Sequence, residues 1–222
     1  MTVQDDKREE ELRNLFQLEK PKNHSRGGVD SILKTKNEII EFELKSTTKG
    51  SVTTVRDFGL EHIRKWEKKH WIIGVYSDRE TLEYCLHATP SAMQPWIQEK
   101  KDYIAPDFTI GQIAANKLEI PDLYRVLGKK NLYSLEDAKK LHKKQYSKAQ
   151  YIQLMDLNTG YSPQQMLKIL RDRALYISSR GSTLNNPHVP ASYFNGWTRI
   201  VRDHAAILRK RLVQDGFIID EQ

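Results

Sequence analysis

The period at which apolar residues recur changes several times along this chain, and each change marks an element. Leu12, Leu15, Phe16 and Glu19 fall at helical spacing, which predicts a helix over residues 4–19. Residues 20–28 carry Pro21, Asn23, Ser25, Gly27 and Gly28 and read as a loop. In residues 28–48, GVDSILKTKNEIIEFELKSTT, the period drops to two, with Ile40, Phe42 and Leu44 on one side and Glu41, Glu43 and Lys45 on the other. That is a hairpin with its turn at residues 34–37, around Asn37. A polar loop, 46–51, follows, then a helix over 55–69 opened by Thr54 and Asp57 and lined by Leu60, Ile63 and Trp66. The run WIIGVY at 71–76 reads as a strand buried on both faces, and 82–88 as another.

Beyond Pro90 the pattern is helical. Helices are predicted over 91–101 and 109–117, and from Ser134 through Gln145. Another starts at Ser162-Pro163, with Leu167, Leu170, Ala174 and Ile177 on one stripe, and ends near Arg180-Gly181. Residues 182–190 form an irregular polar loop. A last helix over 192–214 carries Trp197, Ile200, Val201, His204, Ile207, Leu208 and Leu212 along one side, a core stripe or a dimer seam. The expected fold is α/β (α+β): a mixed β-sheet flanked by helices over 1–90, with a helical region over 91–222 for recognition or dimerisation.

Composition narrows the classes. With 222 residues, 38% hydrophobic and 29% charged, the chain is long enough for a core of its own. No apolar run suits a membrane span, and MTVQDDKREEELR lacks the hydrophobic segment of a secretory signal, so a cytoplasmic protein is expected. A single cysteine, Cys85, excludes an internal disulfide and a multi-cysteine zinc site. Histidines 24, 62, 70, 87, 142, 188 and 204 show no ligand spacing. The net charge of +7, with Lys and Arg dominant from Lys45 onward, points to nucleic acid.

The hairpin carries the candidate chemistry. A two-residue loop at Lys36-Asn37 sets Asp30 opposite Glu43; a loop centred at Thr35-Lys36 sets it opposite Glu41. Either register brings two carboxylates to within about 5 Å between Cβ atoms. Carboxylates that close repel unless a proton or a cation lies between them, so the reading is a divalent metal site beside Lys45. The pattern acid-x-Lys recurs at Asp5/Lys7, Glu67/Lys69, Glu99/Lys101 and Asp137/Lys139, but there it reads as a solvated charged face. Only Glu43-Leu44-Lys45 lies on an alternating strand with an aspartate on the arm before it.

Val29-Asp30, then Glu43-Leu44-Lys45, resembles the motif of the PD-(D/E)XK nucleases, as found in type II restriction endonucleases. The order of elements over roughly residues 1–90 is similar too. Val29 stands where that motif has proline, and the following helix lacks the Gln-x-x-x-Tyr of the exonuclease branch. The resemblance implies that Asp30 and Glu43 ligate Mg²⁺, one or two ions per site, and that Lys45 orients the attacking water and neutralises the phosphate. Glu41 is a spare carboxylate for a second metal, and Glu11 or Glu19 a possible acid from the first helix. It also implies in-line hydrolysis of double-stranded DNA by a homodimer, leaving 5′-phosphate ends. A repair or junction-resolving nuclease on the same core, or a non-catalytic DNA-binding protein, are the alternatives. DNA contacts are expected from Ser46, Thr47, Thr48, Lys49 and Ser51, and from Arg56, Arg64, Lys65 and Lys68. Base readout is expected from Arg180, Ser182, Thr183, Asn185, Asn186 and His188, whose amide, guanidinium and hydroxyl groups match base edges.

Overall fold

Strand β4 (His70–Tyr76) is buried at every position and forms the spine of a four-stranded mixed sheet, as its apolar run predicts. The computed structural model describes residues 3–21, 28–36, 38–78 and 80–219; the proposed turn residue Asn37, His24 and most of the loop before the hairpin lie outside them. β1 (Ser31–Lys34) pairs antiparallel with β2 (Ile39–Thr47), β2 runs parallel to β4, and β5 (Leu82–Ala88) closes the other edge antiparallel to β4. The fold is thus mixed α+β. No helix among the described residues is long and apolar enough to cross a membrane.

The chain divides into two compact units, and the division differs from a break near residue 90. The first unit combines residues 1–101 with 184–222, and the second spans 102–183. In the first unit α1 (Val3–Leu15) lies against the sheet, with Leu12 packed over Gly74. A Cβ at Gly74 would lie 2.9 Å from both the Leu12 side chain and the Tyr76 ring, so a larger residue would push these side chains aside. Leu12 and Phe16 share a core with Ile40, Phe42, Leu44, Ile72, Cys85 and, from α8 (His204–Gln214), Leu208 and Leu212. An aromatic cluster holds the 58–96 region: Trp66 meets Trp71 edge-on at 4.8 Å and Phe58 at 5.4 Å.

Several boundaries depart from the sequence pattern. α1 ends at Leu15, Gln17 turns left-handed (φ 51°), and Glu19 bonds through its backbone to Ile32 on the outer edge of β1. The helix expected over 55–69 is only α2 (Leu60–Trp66). Residues 52–58 instead pair with 184–189: β3 (Val52–Thr53) joins β6 (His188–Val189), Phe58 bridges Leu184, and the Thr54 hydroxyl donates to the Pro187 carbonyl at 2.6 Å. Thr54 is therefore not a helix cap. The helix expected over 192–214 is a 3-10 turn (Ala191–Phe194) and α8. Between them Ile200 bonds to Cys85 and extends the sheet at β5, and Val201 is exposed.

α3 (Pro90–Asn116) is one helix where two were expected. The second unit holds α4 (Ile120–Leu127), α5 (Leu135–His142), α6 (Lys148–Gln153) and α7 (Pro163–Gly181), around Leu123, Tyr133, Leu141, Tyr151, Tyr161, Met166 and Ile169. Ser134 and Ser162 cap α5 and α7 as predicted, each accepting a backbone N–H, contacts worth about 1 kcal/mol apiece. α6 has a capping signature of the same kind, Ser147 with Gln150, and α4 has Pro121 in its first turn, but both helices are short and neither was expected. Gly160 lets its chain close on Tyr133, whose carbonyl oxygen would lie 2.2 Å from a Cβ there.

Candidate active site

The β1–β2 register pairs Ser31 with Phe42 and Lys34 with Ile39, so Asp30 falls opposite Glu43. Thr35 N–H donates to the Glu38 carbonyl at 2.9 Å, where the two strands approach their connection. Of the two registers open in sequence, this is the one centred on Lys36-Asn37. Glu41 is left exposed, two residues earlier on the strand and opposite Ile32.

Lys45 lies among oxygens. Its Nζ is 2.7 Å from Glu43 Oε1, 3.1 Å from the Leu44 carbonyl and 3.8 Å from Asp30 Oδ2. Asp30 Oδ2 also accepts the Leu44 N–H at 2.9 Å, which ties the aspartate to the glutamate strand. Burial, and next the charge of Glu43, raise the Asp30 pKa above the ordinary carboxylate range. Burial would raise Glu43 as well, but the ammonium groups of Lys45 and Lys69 outweigh it and hold that carboxyl ionised. Burial alone would discharge Lys45; Glu43 and Asp30 reverse this and keep it protonated far above neutral pH.

Lys69 corrects the sequence reading. As part of Glu67-x-Lys69 it looked like a solvated helix lysine, yet it is 1% exposed, just before β4. Its Nζ donates to Glu43 Oε2 at 3.0 Å and to the Gly28 carbonyl at 3.2 Å. Glu43 is thus gripped at both oxygens by different lysines. The available signal was position: a lysine abutting a strand buried on both faces has little solvent to reach.

The first-helix acid is also a different residue. Glu11 accepts from the Tyr76 hydroxyl at 2.8 Å, and Glu19, outside the helix, pairs with Lys34 at the surface. Glu9 is the α1 acid coupled to the site: burial first, and then the charge of Asp30, push its pKa up to about 7. One turn on, Arg13 donates to Ser31 Oγ at 3.0 Å and to the Asp30 carbonyl at 3.5 Å. Glu9 and Arg13 stand four apart and flank Leu12 on the helix, a spacing that puts both beside the buried face.

The expected DNA-contact residues separate into two groups. Ser46 and Thr47 belong to β2, and Thr47 is buried, its hydroxyl donating to the Ser51 carbonyl and accepting from Lys49 N–H. Ser182 is likewise buried, bonding the Ser178 carbonyl, and the Thr183 hydroxyl donates to the Arg180 carbonyl. These hydroxyls serve the backbone and do not present themselves to a ligand. Thr48, Lys49, Asn185 and His188 are exposed, as are Arg56 (before α2, not on it), Arg64, Lys65, Lys68 and Arg180. Asn186 is partly buried in a left-handed turn, its N–H bonded to Val55. His188 Nδ1 lies 3.2 Å from the Thr53 hydroxyl, across the β3–β6 ribbon.

His70 and His87, scattered in sequence, stack with rings 5.3 Å apart and an Nδ1···Nε2 distance of 3.0 Å. They bond each other.

The donor set around Lys45 suits a hard cation: two carboxylates and a backbone carbonyl, all oxygen, converging on a point already occupied by positive charge. No group of three or more His, Cys, Asp or Glu side chains that could hold a metal ion is gathered among the described residues. Compared with known protein families and with curated proteins, the chain matches none.

Proposed function

We propose that the protein is a Mg²⁺-dependent endonuclease that hydrolyses phosphodiester bonds of double-stranded DNA at a specific sequence, as a homodimer of the restriction type. The observation that carries the reading is the Lys45 ammonium among Glu43 Oε1, Leu44 O and Asp30 Oδ2 on adjoining strands. Asp30, Glu43 and the Leu44 carbonyl would hold the ion, which when bound acidifies a water and offsets charge on the scissile phosphate. Lys45 stays charged, so its part is to orient the water and neutralise the phosphoryl oxygens, not to take a proton. Lys69 remains on Glu43, which keeps a cationic partner when Lys45 turns to the phosphate. Glu9 has the proton affinity suited to accepting a proton near neutral pH.

One observation favours a second reading. Asp30, Glu43, Lys45 and Lys69 balance to zero charge among themselves, which suits a structural cluster in a DNA-binding protein that does not cut. Plasmid digestion separates the two. With Mg²⁺ the wild type is expected to give discrete fragments, and Lys45→Ala to cut about 10²–10³-fold more slowly while still retarding the same DNA in Ca²⁺. Undiminished cleavage by Lys45→Ala removes this site from the chemistry, and a wild type that never nicks in Mg²⁺ or Mn²⁺ selects the second reading.

A further inference from the structure

Residues 102–183 carry thirteen Lys or Arg against eight Asp or Glu, so this unit holds five of the seven formal net charges. The excess is concentrated: residues 138–155 contain Lys139, Lys140, Lys143, Lys144 and Lys148 and no acid. Nearby acids already have partners, Glu136 with Lys139, Asp137 with Lys130 and Asp172 with the Tyr146 hydroxyl. Among the described residues Lys140, Lys143, Lys144 and Lys148 pair with no acid, and all four are exposed.

Local stability explains the placement of only one of them, Lys140. Lys139 and Lys140 complement the C-terminal end of α5, as cations there do. Lys143 and Lys144, however, both adopt left-handed backbone (φ 54° and 58°), where glycine or asparagine fits without strain. Lys148 is the first residue of α6, the end at which a helix disfavours a cation. The turn is nonetheless fixed: Tyr146 stacks on His142 at 3.9 Å and donates to Asp172 of α7, and Ser147 and Gln150 cap α6 reciprocally. The side chains here that suit base edges are tied back, Gln145 to the Lys143 carbonyl and Gln150 to Ser147 N–H. What remains for a ligand is four flexible point charges within nine residues, a pattern for a row of phosphates and not for a base sequence.

We propose that the α5–α6 turn is a sequence-independent contact to the phosphate backbone of double-stranded DNA. The choice of duplex DNA rests on the nuclease reading; the test avoids cleavage, so failure of one is distinct from failure of the other. Full-length protein is titrated with a fluorescent 30-base-pair duplex in EDTA over a series of KCl concentrations. Neutralising Lys140, Lys143 and Lys144 together to Gln is expected to lower the slope of log affinity against log salt by about 2–3, at roughly 0.9 per phosphate contact, while the triple Arg variant keeps it. The pair Lys143→Gly and Lys144→Gly is expected to raise Tm by relieving the backbone and still to weaken binding. An unchanged slope in the Gln variant, with Tm intact, overturns the proposal. So does an effect confined to duplex RNA or to phosphatidylserine vesicles run in parallel.

Discussion

The sheet unit and the helical unit treat charge in opposite ways. Around Glu43, two acids and two lysines are withdrawn from solvent and each is paired. In the α5–α6 turn, lysines stand in solvent without acids, at left-handed positions that cost local stability. In low dielectric a charge survives only with a partner, so protonation states in the first cluster are set by neighbours. In water a charge survives anywhere, so folding leaves position in the second loosely constrained. The same residue type thus has a structural dependence in one unit and little in the other.

The sharpest way to break that contrast is one substitution made in both places. Lys69→Met removes one of the two cations on a buried carboxylate, and is expected to destabilise the fold by about 3–5 kcal/mol in urea unfolding, since Asp30 and Glu43 are then left with Lys45 alone and one negative charge uncompensated. Lys144→Met is expected to move stability within about 0.5 kcal/mol, as surface substitutions do. Equal effects at the two sites would show that Glu43 does not depend on Lys69.

Why one lysine was legible in sequence and the other was not follows from what fixes each. Alternation is a property of the local backbone, so Ile40–Phe42–Leu44 against Glu43–Lys45 could be read directly, while the choice between Glu41 and Glu43 as the residue facing Asp30 needed the β1–β2 register. Burial of Lys69 depends on β2 pairing with β4 across the α2 crossover, which no short window contains. Thr54 failed for a similar reason: its hydroxyl finds Pro187, 133 residues away, before it can cap a helix. Glu11 and Glu9 were equally acidic in sequence; only the packing of Leu12 on Gly74 orients α1 so that Glu9 is the one that feels Asp30.

A third arrangement tests the rule from the other side. His70 and His87 are buried and have no acid, and burial lowers them to about 4 and about 3, with His70 and Arg211 adding to the effect on His87. Both are neutral in the native state, whereas an unfolded histidine takes a proton below about 6.5. The pair therefore contributes stability that is present above pH 6.5 and lost as pH falls toward 4. Melting curves between pH 7 and pH 4.5 are expected to show a fall in Tm that His87→Leu makes shallower. A variant with the wild-type slope would mean that the pair is already solvated.

The smallest expected effect concerns Glu9, where the two regimes meet, because it is half-buried and feels two acids, Asp30 and Asp6, and two cations, Lys45 and Arg13. Its pKa is raised to about 7, by burial first and then by Asp30. A carboxyl raised on folding adds stability that is complete below its unfolded value near 4.5 and lost as pH rises through 7. Without divalent ions, the wild type is therefore expected to lose Tm between pH 5 and pH 8 by an amount that Glu9→Gln lacks. If the acids hold a cation, Ca²⁺ restores that loss, so the Tm gained on adding Ca²⁺ should grow with pH through 7 in the wild type and stay level in Glu9→Gln. A Ca²⁺ increment equal at pH 6 and pH 8 in both proteins would separate Glu9 from the carboxylate pair and leave Asp30 and Glu43 as the whole of the acidic set.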